Sequence, residues 1–279
     1  MEKNKQPVRV STVLIYVFFC FIMVLYLAPI GWIAMTSVKD RSSIYKSPFG
    51  WPTEFHWENY TAAWTGGKLG IAMLNSLFVC VITLILTIII GSMAAFAIAR
   101  LRWKLSGAAM VYILIGMMIP VHCVLIPLFI QFSSWKLTNS LIGLIIPYVT
   151  FSLPITIYIM VGFFEGIPNE LFEAAVIDGC SIPRMFVTVA LPMAKTGFMV
   201  TGLMSFISNW NELLLAMVFI SKETFKTLPV SLTKFVGPYH TNYTQMFAGI
   251  MIAVIPTIIV YCIFANQIVE GLTAGAVKG

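Results

Sequence analysis

Five polar side chains, Thr201, Ser205, Ser208, Asn209 and Glu212, recur at i, i+3 and i+4 spacings inside an otherwise apolar run. A helix would carry all five on one face. Hydroxyls and amides both donate and accept hydrogen bonds, and a carboxylate accepts them. A stripe of this kind in a membrane helix lines a path for a polar, uncharged solute, or it bonds to a neighbouring helix; both readings stand. Counted from Lys195, Glu212 would lie about 25 Å along one continuous helix, past the midplane and towards the outside.

Chemistry on a substrate needs more than this. No paired acids, metal-ligand spacing or nucleophile set occurs in the apolar runs. Cys20, Cys80, Cys123, Cys180 and Cys262 form no disulfide framework or metal site and read as small buried hydrophobes. His122 reads as a structural buried histidine. No G-x-x-x-x-G-K-[ST] phosphate loop is present. The chain cannot then be its own ATPase by that chemistry, and energy must come from another chain or from an ion gradient. It is expected to be a transporter without cofactor of its own and not an enzyme.

A second constellation lies at 165–192. Asn169 suits an N-cap, with Glu170 and Glu173 in the first turn where the helix dipole favours acids. Phe172, Ala175 and Val176 share a face, and Gly179 stands where a left-handed C-terminal residue is wanted. Ser181 then caps a second short helix, with Pro183 in its first turn, ending near Pro192. Small residues at Ala174 and Ala175 would let another backbone approach. The segment docks on a partner, or it lies flat on the bilayer.

These two constellations need elements to hold them, and the composition says which. Of 279 residues 59% are hydrophobic and 10% charged, against roughly 25% charged in soluble domains. Ser11 to Val38, Leu69 to Ala99, Leu105 to Trp135 and Leu137 to Phe164 carry no charge; Thr196 to Ser221 carries only Glu212, and Phe235 to Val269 none. Each exceeds the ~20 residues needed to cross a bilayer. The fold class is all-α integral membrane protein with about six transmembrane helices, multi-pass in the cell membrane. Pro120, Pro127, Pro147 and Pro154 allow kinks. The net charge of +6 points to no nucleic acid; basic residues near helix ends anchor and orient against membrane lipid. Lys3, Lys5 and Arg9 precede the first span, and Arg100, Arg102 and Lys104 fill the tightest connection, favouring both termini inside. Lys39 to Lys68 reads as an outer, aromatic-rich interfacial cap with no regular helix before Glu58, and Lys222 to Thr244 as a second outer loop.

The order Glu173-Ala174-Ala175, Gly179, Val189 and Leu191-Pro192, at those spacings, resembles the EAA loop of ABC-importer permeases, with Val189 where the family pattern has Ile. Asn59-Tyr60, Trp210-Asn211-Glu212 and the tail Gly271-Leu272-Thr273-Ala274-Gly275 resemble the maltose-type carbohydrate permeases, specifically the MalG-type subunit. The resemblance implies a type I ABC importer permease fold with both termini inside. It also implies a second permease, an ATPase dimer beneath, an extracytoplasmic solute-binding protein above and a sugar substrate. By it, Glu173, Ala174, Ala175, Asp178, Gly179, Leu191 and Pro192 would couple to the ATPase. The corresponding divisions are 1–68 (tail, first span, outer loop), 69–270 (permease core with the 165–192 loop) and 271–279 (tail, a second ATPase contact). The rival class is an ion-coupled secondary transporter of a small polar solute, but no internal repeat is visible and Glu212 is the lone acidic or basic (Asp, Glu, Lys, Arg) residue within the spans.

Overall fold

The computed structural model describes residues 10–101, 103–237 and 241–276, with side chains described from 11 to 264. Lys3, Lys5, Arg9, Arg102, Lys278 and the side chains of the 271–279 tail lie outside the described residues. In chain order the α-helices are α1 (Val10–Ser37), α2 (Arg41–Lys46), α3 (Glu58–Gly66), α4 (Leu69–Arg100), α5 (Ser106–Met117), α6 (Val121–Ser134) and α7 (Leu141–Glu165). Then follow α8 (Asn169–Ile177), α9 (Ile182–Met185), a π-helical turn (Phe186–Ala190), α10 (Leu191–Met193), α11 (Lys195–Trp210), α12 (Leu214–Phe219), α13 (Leu228–Leu232) and α14 (Tyr243–Ala276).

Two compact units emerge, one of residues 1–68 with 232–252, the other of 69–231 with 253–279. In the first, α1 exposes its apolar side chains along most of its length (Leu14 64%, Tyr26 73%), as a lipid-facing helix must. Its end is clamped. Asn59 Nδ2 donates to the Ser37 and Lys39 carbonyls at 2.9 Å each, and the Ser37 and Tyr60 hydroxyls lie 2.7 Å apart. Buried Lys39 donates from Nζ to the carbonyls of Ser47 (3.0 Å) and Pro48 (3.1 Å). The Asp40 carboxylate accepts from the Ser42 and Ser43 amides and caps α2, a helix the sequence reading did not foresee before Glu58. Phe49, Trp51, Phe55 and Trp57 stand exposed beyond it.

In the second unit α4 lays a stripe of small buried residues (Ala72, Ser76, Cys80, Thr83, Thr87, Gly91, Ala95) towards α7, the composition that lets membrane helices approach closely. A Cβ on Gly91 would come within 2.9 Å of Thr156 Cγ2. The helix α11 packs on both, with Gly197 against the Phe163 ring.

Among the described residues four helices, α1, α4, α7 and α14, are each long and apolar enough to cross a membrane, and two further spans are bent pairs. Two spans read as single apolar runs are thus broken, the first at one of the prolines read as allowing a kink. Leu105 to Trp135 is not one helix but α5 and α6, meeting at 91°. Extended Pro120 sits at the break; it has no N–H to continue the ladder and disfavours helix in the residue before it. Thr196 to Ser221 divides into α11 and α12, and a 79° bend separates 182–193 from α11. By contrast α7 continues through Pro147 and Pro154. All five cysteines are free, but only Cys80 is buried, so burial does not explain the rest. His122 is exposed at the start of α6, not buried as read.

Candidate functional site

The 165–192 segment is built around one side chain at the end of α4. Arg100 Nε donates to the Phe164 carbonyl at 2.9 Å, Nη2 donates to the carbonyls of Phe164 and Ile167, and Nη1 to Asn169 Oδ1 at 2.5 Å. The guanidinium also lies over the Phe172 ring. It thereby satisfies orphan carbonyls where α7 ends and holds the first turn of α8. Asn169 is not the cap as read: Pro168 takes that position and Asn169 is the first helical residue.

The other end of α8 follows the sequence. Gly179 has φ +75°, the Cys180 amide donates to the Ala175 carbonyl at 2.9 Å, and the Gly179 amide to that of Val176 at 3.0 Å. This is a Schellman closure, and it turns the chain into α9. Ser181 stands at the α9 N-cap without a side-chain bond.

The faces differ from the expectation. Phe172 and Ala175 point inward, into a core with Phe96, Phe164 and Met185. Val176 does not join them; it is 61% exposed, and Ile177 and Ile182 are exposed too. Glu173, Ala174, Asp178, Gly179 and Pro192 are exposed, Leu191 half-buried. Only Ala174 of the small pair is therefore free to meet another surface. Beside α8 lies a cavity of about 490 Å³ lined by Arg100, Phe172, Glu173, Val176, Ile177 and Ile182 among others.

The polar stripe is partly a seam and partly a wall. Asn209 Nδ2 donates to Ser205 Oγ at 3.1 Å and to Ser152 Oγ of α7 at 3.3 Å. Glu212 lies beyond the end of α11. Its carboxylate accepts from the Leu215 amide at 2.7 Å, the Ala216 amide at 3.1 Å and the Tyr148 hydroxyl at 2.6 Å. From the position before the N-cap Leu213 it thus satisfies two first-turn amides of α12, orphan donors that a helix starting there would otherwise leave unpaired. Ser205, Ser208, Asn209 and Glu212 line one open cavity of about 290 Å³, together with Val121, Tyr148, Phe151 and Ser152. Thr201 is not among them; buried, it donates to the Gly197 carbonyl of its own helix at 2.9 Å. Tyr148, Phe151 and Ser152 were not singled out from the sequence, although Tyr148, Ser152 and Thr156 repeat at the same i, i+4 spacing.

Residues 87–274 match the profile of the family described as binding-protein-dependent transport system inner membrane component. The chain belongs to this family. It is 34% identical over 259 residues to a diacetylchitobiose uptake system permease protein of Streptomyces coelicolor, covering 91% of this chain and 85% of that protein. It is 35% identical to a trehalose transport system permease protein of Mycobacterium tuberculosis, covering 91% and 93%. Its fold is that of a chain in the crystal structure of a bacterial ABC transporter importing the acidic polysaccharide alginate, with TM-score 0.81, 22% identity and coverage of 94% and 99%. The protein is a multi-pass inner-membrane permease subunit, a transport component and not an enzyme, and membership sets aside the ion-coupled class.

Proposed function

We propose that this permease imports a carbohydrate handed over by an extracytoplasmic binding protein, pairs with a second permease, and is driven by an ATPase dimer on the cytoplasmic side. The observation that carries the coupling half is the α8 geometry. A rigid helix, closed at Gly179 and held at Arg100, presents Glu173, Ala174, Ile177 and Asp178 outward. Exposed Val176, Ile177 and Ile182 beside acidic side chains make an apolar surface with a polar rim, the anatomy of a protein interface. A helix lying flat on lipid would instead gain from basic residues on its polar face, and α8 has none. Leu191 and Pro192 end the segment and return the chain to α11. Both termini are on the cytoplasmic side in this reading, and the 271–279 tail is a second ATPase contact.

The substrate half rests on two supports. Relatives covering most of the chain carry names for sugar uptake, and the cavity on α7 and α11 offers hydroxyls, an amide and one carboxylate. Ser205, Ser208, Asn209 and Glu212 line the solute path in this reading; Thr201 does not. Uptake of labelled trehalose and diacetylchitobiose by a strain lacking this gene, with and without the gene restored, tests it. Cross-linking of Ala174→Cys to the ATPase subunit tests the coupling contact separately.

A further inference from the structure

The cavity on α7 and α11 holds more hydrogen-bonding capacity than the protein uses. Both amide protons of Asn209 are taken, by Ser152 and Ser205. Each of those hydroxyls therefore acts as an acceptor there, and each keeps its own proton to donate. Asn209 Oδ1 has no protein partner among the described residues and can accept. Ser208, exposed on the same wall, offers both functions. Phe151 adds a partly exposed aromatic surface to the lining. Alternating donors and acceptors beside an apolar face match a sugar ring, whose hydroxyls both donate and accept and whose C–H groups are apolar. At about 290 Å³ the cavity is at the low end of the roughly 300–1,000 Å³ of small-molecule sites, a size for one ring and not for a chain.

Charge narrows the class. The lining includes the Glu212 carboxylate and no Lys, Arg or His. An anionic ring would face the Glu212 carboxylate between largely apolar walls with no cation in the lining to offset it, and like charges repel more strongly there than in bulk water. From these groups, and resting on the carbohydrate reading above, we propose that this subunit contributes its own subsite for one uncharged sugar ring and excludes uronate-type sugars from it.

A reporter cysteine tests this in the complete transporter, reconstituted in liposomes, with the five natural cysteines replaced and Ser208→Cys introduced. Labelling of position 208 by a maleimide is followed with trehalose, diacetylchitobiose or an alginate disaccharide present, after uptake of each has been measured. A neutral sugar that is imported should slow labelling roughly fivefold at a concentration about four times its half-saturation, and the alginate disaccharide should leave the rate unchanged. Unchanged labelling with an imported neutral sugar overturns the subsite. Equal protection by the alginate disaccharide overturns its charge selection. Import of no sugar at all sinks the carbohydrate reading and this inference with it. In the same background Glu212→Gln should let the alginate disaccharide protect position 208; continued exclusion would show that charge is not the filter.

Discussion

The Arg100 guanidinium lies 4.6 Å from the centroid of the Phe172 ring, joining the end of α4 to the buried face of α8 across 72 residues of sequence (172 − 100). The same group binds the Phe164 carbonyl at the end of α7 and the Ile167 carbonyl just beyond it. One side chain thus holds three pieces that must move together if α8 reports to an ATPase. Lysine keeps the charge but has no planar fork to donate along several directions at once. Arg100→Lys should cut binding-protein-stimulated ATP hydrolysis and uptake about tenfold, because a charge-assisted bond contributes about 1.5–3 kcal/mol and about 1.4 kcal/mol is one factor of ten. The assembled complex should still purify intact. Stimulated hydrolysis at the unsubstituted rate would mean that the contact is only packing.

Gly179 sits at φ +75° with open space around its α-carbon, so any penalty there comes from the backbone and not from crowding. Alanine in the left-handed region costs about 1–2 kcal/mol. Gly179→Ala should weaken coupling partially. Gly179→Pro should abolish it, because proline fixes φ near −65° and removes the amide that closes the turn. Ala174→Trp adds bulk on the exposed face and should block ATPase docking while the binding protein still docks. Ala175→Asp acts differently, placing an unpaired carboxylate in the core with Phe172 and Phe164, and should reduce the amount of folded protein itself. Equal yields of the Ala174 and Ala175 variants, measured by gel filtration in detergent, would contradict this division of the pair.

What could be read from the sequence was local. Charge-free runs gave six membrane passes, and the Asn169 to Gly179 spacing gave a short helix with a left-handed stop. Which proline breaks a pass was not legible, because Pro120 stands at a break while Pro127, Pro147 and Pro154 lie inside their helices, and apolar composition is the same on both sides of Pro120 and of Asn211–Leu213. Only the Glu212 carboxylate on the first-turn amides of α12 marks the second break, and a lone intramembrane acid suggests a pathway as readily as a helix start. Arg100 read as an orientation signal because its partners are 64 to 72 residues away (Phe164 to Phe172). Tyr148 and Ser152 were within reach, since the spacing rule applied to Thr201–Glu212 picks them out in α7 as well. Val176 was assigned inward from periodicity alone, but in a nine-residue helix the buried arc is narrow and the partner surface takes the remainder.

Outside the spans, hydrogen bonds from Ser43 and Ser42 hold the Asp40 carboxyl well below the usual carboxylate range. A depressed folded value contributes stability above the unfolded value and loses it as pH falls through the folded one. The cap on α2 should therefore be constant from pH 8 to about pH 4, near the unfolded value of ~3.9, and fail only in stronger acid. Amide exchange at Ser42 and Ser43 measures it. A rise in their protection-loss between pH 7 and 5 would show that another group controls the turn.

Glu212 and Tyr148 give the sharpest separation between wall and seam. Removing the carboxylate strips the acceptor from the Leu215 and Ala216 amides, about 1 kcal/mol on the scale of a lost helix cap. It also leaves the Tyr148 hydroxyl unpaired at the helix interface, about 1–3 kcal/mol more. Removing the hydroxyl leaves the carboxylate two amide donors, so Tyr148→Phe loses one bond and little else. Glu212→Ala should lower the melting temperature of the purified complex clearly more than Tyr148→Phe, with Glu212→Gln between them because its carbonyl can still accept. Transport should follow a different order. Tyr148→Phe alters the cavity lining without unseating α12, so it should change the apparent affinity for sugar at nearly constant stability. If Tyr148→Phe and Glu212→Ala destabilise equally and neither changes sugar affinity, Glu212 is only a structural bond between α7 and α12 and the solute passes elsewhere.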